Sequence, residues 1–183
     1  MEIIITSRQI LNILLILSWI IFIGICIEAG AHIVNAIFAL ANPSVVPRLW
    51  QQVDLADLFK YDHGWFFVIT LIMSIVTLMK AWLFFLIIRI LHNKNLNIAS
   101  PFRKEVRRFI FYLSYIALLI GLFSGYGIKY IDWLVKQGVK MPDTQLLHLG
   151  GADVWLFMAV ILFIIAQIFK RGIEIQTEND LTV

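Results

Sequence analysis

Carboxylate and imidazole side chains stand within or beside the apolar runs of this sequence. Glu28 and His32 are four residues apart in one run, so on a helix they share a face. His63 and His148 stand beside two other runs. Carboxylate and imidazole groups together suit a divalent metal, an axial haem contact or a proton relay. Because the sequence contains no His-Glu-x-x-His motif, it favours an alternative, an interfacial cluster satisfied by water and lipid headgroups.

Lys80 is a charged residue deep within an apolar run. It lies nine residues from Arg89 and fifteen from Trp65, which places it inside the hydrocarbon if the run crosses a membrane. An ammonium group there costs about 2.5 to 3.5 kcal/mol on insertion scales. Counting inward from the ends of the runs places no acidic residue at this depth. The side chain is expected either to snorkel to lipid headgroups or to contact an anion, such as the acidic C-terminal residues or a ligand.

The composition excludes an ordinary soluble enzyme. Of the 183 residues, 61% are hydrophobic and 15% are charged, whereas soluble domains are about half apolar and a quarter charged. Four runs are long enough to cross a hydrocarbon core of about 30 Å. The single cysteine, Cys26, excludes an intramolecular disulfide and a Cys-rich metal site. No nucleophile–base pair or phosphate-binding glycine loop is recognisable, so neither catalysis nor a cofactor is expected.

The sequence predicts an all-α integral membrane four-helix bundle. Its single domain comprises four spans and a short acidic tail, at residues 10–38, 65–91, 108–131, 153–170 and 171–183. Apolar residues at helical spacing from Leu49 to Phe59 predict a short extracytoplasmic interfacial helix in the first loop. Ser100-Pro101 is typical of a helix N-terminus before the third span, and Gly138 of its end.

Basic residues set the predicted orientation of these spans. The second loop carries six of them, Arg89, Lys94, Arg103, Lys104, Arg107 and Arg108. Because cytoplasmic loops are enriched in Lys and Arg, both termini are predicted to be cytoplasmic. Two groups of residues then fall on the outer side, the candidate ligands Glu28, His32, His63 and His148 and the tryptophans Trp50, Trp65, Trp133 and Trp155.

Two short motifs resemble a known bacterial family. Asn97-Ile98-Ala99-Ser100-Pro101-Phe102 precedes a basic helix start, and Arg171-Gly172-Ile173-Glu174-Ile175-Gln176 leads to the terminal Asp180-Leu181-Thr182-Val183. With the spacing of the four spans, the sequence resembles the bacterial DUF2975 (domain of unknown function 2975) family over nearly its whole length. The resemblance implies a small four-helix protein of the bacterial inner membrane, often encoded beside a small helix-turn-helix regulator. It implies no catalytic residues.

The sequence favours a non-enzymatic membrane sensor or accessory protein. Its predicted cytoplasmic interaction face comprises Arg103, Lys104, Arg107, Arg108, Glu174, Glu178 and Asp180. Expected partners are the lipid bilayer and either the small helix-turn-helix regulator or another membrane protein. Nucleic acid is not expected as a direct partner, because the net charge of +3 comes from residues near membrane edges.

Two other function classes stay open. One is a protein that binds a metal, haem or lipophilic small molecule at the outer Glu/His group, and the other is an immunity or small transport-related protein. Gly121 and Gly125 form a small-xxx-small pattern on the third span. That pattern is expected to pack against another helix of the same chain or to form a homodimer face.

Overall fold

The computed structural model describes residues 7–49, 53–92 and 102–180, and within these ranges the chain is helical with no strand. The elements are α1 Ser7–Ala41, a 3-10 helix Pro43–Arg48, α2 Ala56–Tyr61, α3 His63–Leu91, α4 Lys104–Lys136 and α5 Ala152–Asp180. Four of the helices, α1, α3, α4 and α5, are long and apolar enough to cross a membrane. The predicted helical class and the four long apolar helices are confirmed.

Helices α1 and α5 turn most of their apolar side chains away from the rest of the protein. In the most apolar stretch of α1 only 6% is buried within the chain, and in that of α5 only 11%. The corresponding stretches of α3 and α4 are 44% and 33% buried. An apolar surface of this extent is stable in lipid or against other protein rather than in water.

The long helices form two antiparallel pairs. Helix α1 packs mainly on α3, α4 packs on α5, and the pairs meet where α3 contacts α4. The buried core includes Phe66, Ile69 and Met73 of α3 and Ile120 and Leu134 of α4. This arrangement is compatible with the predicted bundle, with α1 and α5 on its two flanks.

The first loop contains a short helix, as predicted, but in a different place. Pro43 and Pro47 lie in the 3-10 helix, where proline removes the backbone donors that an α-helix needs. Helix α2 begins only at Ala56, whose backbone N–H donates to Asp54 Oδ1 at 3.0 Å. The predicted start near Leu49 is therefore wrong, and Trp50 lies outside the described residues.

Helix α4 ends close to Gly138, as predicted, and this glycine has a positive φ of 87°. Its N-terminus lies at Lys104, whereas Ser100 and Pro101 lie outside the described residues. Phe102, two residues before the start of α4, packs against Gly172 of α5. A Cβ atom added to that glycine would be 2.5 Å from the Phe102 ring.

The predicted acidic tail is largely a continuation of α5. The helix extends to Asp180, and residues 181–183 lie outside the described part. Arg171 pairs with Glu174 at 3.1 Å one turn apart, and the Thr177 hydroxyl donates to the Ile173 carbonyl at 2.8 Å. These local bonds support helix beyond the apolar stretch.

Residues 137–151, the α4–α5 connection, fold back into the helix bundle. Leu147 and Leu149 are fully buried. Helix α5 then begins beside Gly121, where an added Cβ atom would be 3.1 Å from the Ala152 carbonyl oxygen. Since Gly121 lies fifteen residues before Lys136, the connection returns about 20 Å along α4 by the helical rise.

Candidate functional site

The α4–α5 connection brings polar groups from three elements into contact. The Lys80 ammonium of α3 donates a hydrogen bond to the backbone carbonyl of His148 at 2.8 Å. The His148 imidazole Nε2 lies 2.5 Å from Glu28 Oε1 of α1. We call Glu28, Lys80 and His148 the polar cluster. It links the α1/α3 pair to the connection that leads into α5.

The turn around His148 explains how one residue makes both contacts. The backbone N–H of Gln145 donates to Asp143 Oδ1 at 2.8 Å and opens a single helical turn. The N–H groups of Leu149 and Gly150 both donate to the Thr144 carbonyl at 3.0 Å and close it. His148 itself adopts the left-handed conformation, with φ of 57°. A side chain other than glycine is strained there by roughly 1 to 2 kcal/mol.

Lys80 is held inside the bundle rather than snorkelling. Besides its bond to His148, its Nζ lies 5.9 Å from the centroid of the Trp155 ring, within the range of a cation–π interaction. Glu28 belongs to the same cluster, because it contacts the imidazole of the residue whose carbonyl binds Lys80. The expectation that no acid lies at this depth is therefore wrong. Helix α1 has 35 residues and exceeds a bilayer thickness, so counting from its end misplaces Glu28.

Among the described acidic residues of the C-terminal part, Glu174 and Glu178 lie far from Lys80. Trp155, which lies next to Lys80, precedes Glu174 by nineteen residues in the same helix. At the helical rise these positions are about 28 Å apart, and Glu178 lies one turn further away. Since α5 is helical to Asp180, it cannot fold back toward Lys80 within its described length.

His32 lies next to the polar cluster and lines a small cavity between α1 and α3. Its ring centroid is 6.5 Å from that of His148, and the residue is only 5% exposed. Its Nε2 atom has no hydrogen-bond partner among the described residues. The cavity measures about 20 Å³ and is also lined by Asn35 and Thr70. This volume is enough for about one water molecule.

His63 does not join the other three predicted residues. It lies at the first position of α3, where its ring stacks on Phe59 at 4.3 Å between centroids. The predicted group is therefore divided, with Glu28, His32 and His148 close together. In the part of the chain that the structure describes, no three His, Cys, Asp or Glu side chains are placed to hold a metal ion.

Glu28 and His148 were predicted at the outer ends of the spans, but they lie at the level of Lys80, deep within α3. Lys80 is seventeen residues after the start of α3 and eleven before its end. Trp155 accompanies it, whereas Trp65 and Trp133 lie together elsewhere, 5.0 Å apart at the start of α3 and the end of α4. The sequence did not single out Trp155 as a neighbour of Lys80, because only the returning α4–α5 connection places it there.

An open groove leads to the polar cluster. It has a volume of about 390 Å³, within the usual range for small-molecule sites. Gly24 and Glu28 of α1 form one side, Gln145, Leu146 and His148 of the connection form the other, and Val53 completes it. The groove gives the Glu28–His148 contact access to the outside of the bundle.

The predicted basic residues lie at the other end of the molecule. Arg103, Lys104, Arg107 and Arg108 belong to the start of α4, and Glu174 and Glu178 to the last part of α5. These two regions are neighbours, because the Phe102 ring lies 5.4 Å from the Phe169 ring. The structure thus brings the described members of the predicted interaction face to one end, which we call the basic end.

Gly121 and Gly125 face α5 of the same chain. A Cβ atom added to Gly121 would be 2.8 Å from the Leu156 side chain, and one added to Gly125 would be 3.7 Å from Ala152 Cβ. A homodimer through these glycines would have to displace α5. Of the two predicted alternatives, the glycines therefore pack against another helix of the same chain.

No family model matches this chain, and no match was found among curated proteins or among solved structures. The resemblance to the DUF2975 family stays a prediction from its motifs.

Proposed function

We propose that this protein is a non-enzymatic sensor or accessory protein of the bacterial inner membrane, with both termini in the cytoplasm. The observation that carries the proposal is the position of His148. Its carbonyl holds Lys80 and its imidazole contacts Glu28, so one residue of the α4–α5 connection bridges to the α1/α3 pair.

Because the polar cluster connects three elements, the arrangement of the helices depends on whether its contacts are intact. In an apolar surrounding, a charged group left without its partner is costly, so the three residues of the polar cluster hold one another in place. A ligand in the groove beside Glu28 and His148 would alter the link. Because His148 precedes α5 directly, the position of α5 relative to α1 and α3 would change with it.

The basic end is the proposed output of the protein. It combines cationic residues of α4 with acidic residues of α5, which gives a bipolar surface on neighbouring helices. We propose that this surface contacts a small helix-turn-helix regulator or another membrane protein. The resemblance to DUF2975 supports this class of partner.

A second candidate function is the binding of a lipophilic small molecule. The open groove beside Glu28 and His148 favours it, because its volume suits such a ligand and its walls combine apolar and polar groups. A metal is less well supported, since three converging ligands are not found among the described residues.

The test is to measure partner retention while changing the polar cluster rather than the partner surface. The full-length protein would be purified from gently solubilised membranes, and co-purifying proteins and small molecules would be quantified by mass spectrometry. We expect a stoichiometric protein partner that is lost in Arg103→Glu/Lys104→Glu and at least fivefold reduced in Lys80→Met. Lys136→Met, an exposed lysine at the end of α4, is the matched control and should retain the partner.

If folded Lys80→Met retained the protein partner as well as the unchanged protein does, signal transfer from the polar cluster would be contradicted. A discrete small molecule that is lost in His148→Ala, without any protein partner, would instead establish the ligand-binding alternative.

A further inference from the structure

A cleft opens between α3 and α4 at the basic end, away from the polar cluster. Its volume is about 340 Å³, and its lining includes Arg89, Arg108 and Glu105 together with Leu86, Phe109 and Tyr112. A volume of this size accommodates a small molecule or part of a lipid. The cleft shares Arg108 with the proposed output surface, whereas Arg89 and the apolar lining have no part in the proposed sensing role.

Helices α3 and α4 pack closely away from the basic end. There Gly127 lets the helices approach, since an added Cβ atom would be 3.1 Å from Ile72 Cγ2. Trp65 packs on Tyr130 in the same region, with 5.1 Å between ring centroids. At the basic end, the half-buried Phe109 and the exposed Tyr112 of α4 line the cleft instead.

The charges around the cleft are unbalanced. Arg89 and Arg108 are both exposed at its mouth, and Glu105 is the one acidic residue of its lining. No carboxylate among the described residues lies within 4.0 Å of either guanidinium group. Within the described ranges the cleft thus presents two arginines and one glutamate, an excess of positive charge that is electrostatically complementary to an anion.

The polarity of the cleft changes along the helix axes. Leu86 precedes Arg89 by one turn and is buried, and Tyr112 follows Arg108 by one turn. Both lie further from the basic end than the arginines do. Cationic groups at the mouth and apolar and aromatic groups beyond them match a phospholipid, whose anionic headgroup is joined to apolar chains. Arginine also pairs with phosphate oxygens in a bidentate manner.

We propose that this cleft binds an anionic phospholipid. Its phosphate contacts Arg89 and Arg108, and an acyl chain lies along Leu86, Phe109 and Tyr112. Basic pockets between membrane helices bind acidic headgroups in this way. The inference rests on membrane insertion as proposed above, and it is independent of the sensing role and of any protein partner.

Native mass spectrometry of the full-length protein in detergent tests the proposal by titration with phosphatidylglycerol and with phosphatidylcholine of the same acyl chains. We expect tighter binding of phosphatidylglycerol. Arg89→Gln and Arg108→Gln should each weaken it about fivefold, as expected for one charge near a membrane surface. Glu105→Gln should strengthen it, because it removes the one acid. Lys136→Gln/Lys140→Gln, at the opposite end, is the control and should bind as the unchanged protein does.

Three results would overturn the proposal. One is equal affinity for both lipids, and another is an equal loss in the control variant. The third is displacement of phosphatidylglycerol by equimolar inorganic phosphate, which would show a phosphate site rather than a lipid site. Circular dichroism and gel filtration of each variant separate these results from misfolding. Because partner retention is measured separately, failure here leaves the proposed sensing function unaffected.

Discussion

His148 makes its two contacts through different parts of the residue. The carbonyl oxygen accepts from Lys80, and the imidazole lies against Glu28. The first contact depends on the left-handed backbone of His148, and the second depends on its side chain. Substitutions can therefore separate the two contributions.

The backbone contribution is tested by comparing His148→Gly with His148→Ala. Both variants lose the imidazole, but only glycine adopts a φ of 57° without strain. We expect His148→Gly to be more stable than His148→Ala by about 1 kcal/mol. The measurement is reversible unfolding in detergent micelles. At an ordinary helical position, alanine would be the more stabilising residue. If His148→Ala were as stable as His148→Gly or more stable, the left-handed conformation at His148 would be contradicted.

The charge contribution is tested by a double-mutant cycle on Lys80→Met and Glu28→Gln. Each single variant leaves one charge of the polar cluster without its opposite, whereas the double variant removes both charges. We expect the double variant to be more stable than the sum of the single effects predicts, with a coupling of about 0.5 to 3 kcal/mol. The same unfolding assay measures it. Lys136→Met combined with Glu28→Gln is the control pair and should be additive.

At the scale of elements, the α4–α5 connection depends on a close approach at Gly127. A Cβ atom added there would lie 2.9 Å from Leu149 Cδ1 and 3.1 Å from Ile72 Cγ2. Gly30 in α1 offers a contrast, because an added Cβ atom would meet nothing within 4 Å. The two glycines differ in packing although both lie within long helices.

We expect Gly127→Ala to destabilise the protein by about 1 to 3 kcal/mol, because it overpacks the contact with the connection. Gly30→Ala should stabilise it by about 0.5 to 1 kcal/mol, because alanine is the better helix former. Denaturant titration in micelles compares the two. If both substitutions stabilised the protein alike, Leu149 would not be packed against Gly127.

The whole molecule has two different ends separated by apolar helices. Trp65, Tyr130 and Trp133 cluster at one end, and the other carries Arg89 of α3 and the basic residues in the first turns of α4. Apolar side chains of α1 and α5 face outward between them. This distribution is typical of membrane insertion, with the positively charged end inside.

Orientation can be measured by cysteine labelling in a Cys26→Ser background. Ser44→Cys lies in the first connection and Thr177→Cys lies in the last turns of α5, and both positions are exposed. We expect a membrane-impermeant maleimide to label Ser44→Cys in intact cells and Thr177→Cys only after permeabilisation. The opposite pattern would reverse the proposed topology, and labelling of both in intact cells would exclude it.

The helices and part of the site follow from local sequence alone. Each long helix is predictable because run length and polarity are local properties, and at the start of α3 the side chain of Asp62 accepts from the Trp65 N–H as a local cap. Glu28 and His32 share a face because of their spacing. Their relation to His148 has no such local basis, because it depends on a chain segment more than a hundred residues away.

The sequence by itself determined four long apolar helices and an unequal distribution of basic residues, since both depend on which residues follow one another. Only the tertiary structure decided that His148 meets both Lys80 and Glu28, and that His63 lies elsewhere. The physical reason is the returning α4–α5 connection. Burial of Leu147 and Leu149 inside the bundle removes their apolar surface from water and stabilises the fold. Because His148 lies between these two leucines, their burial also positions His148.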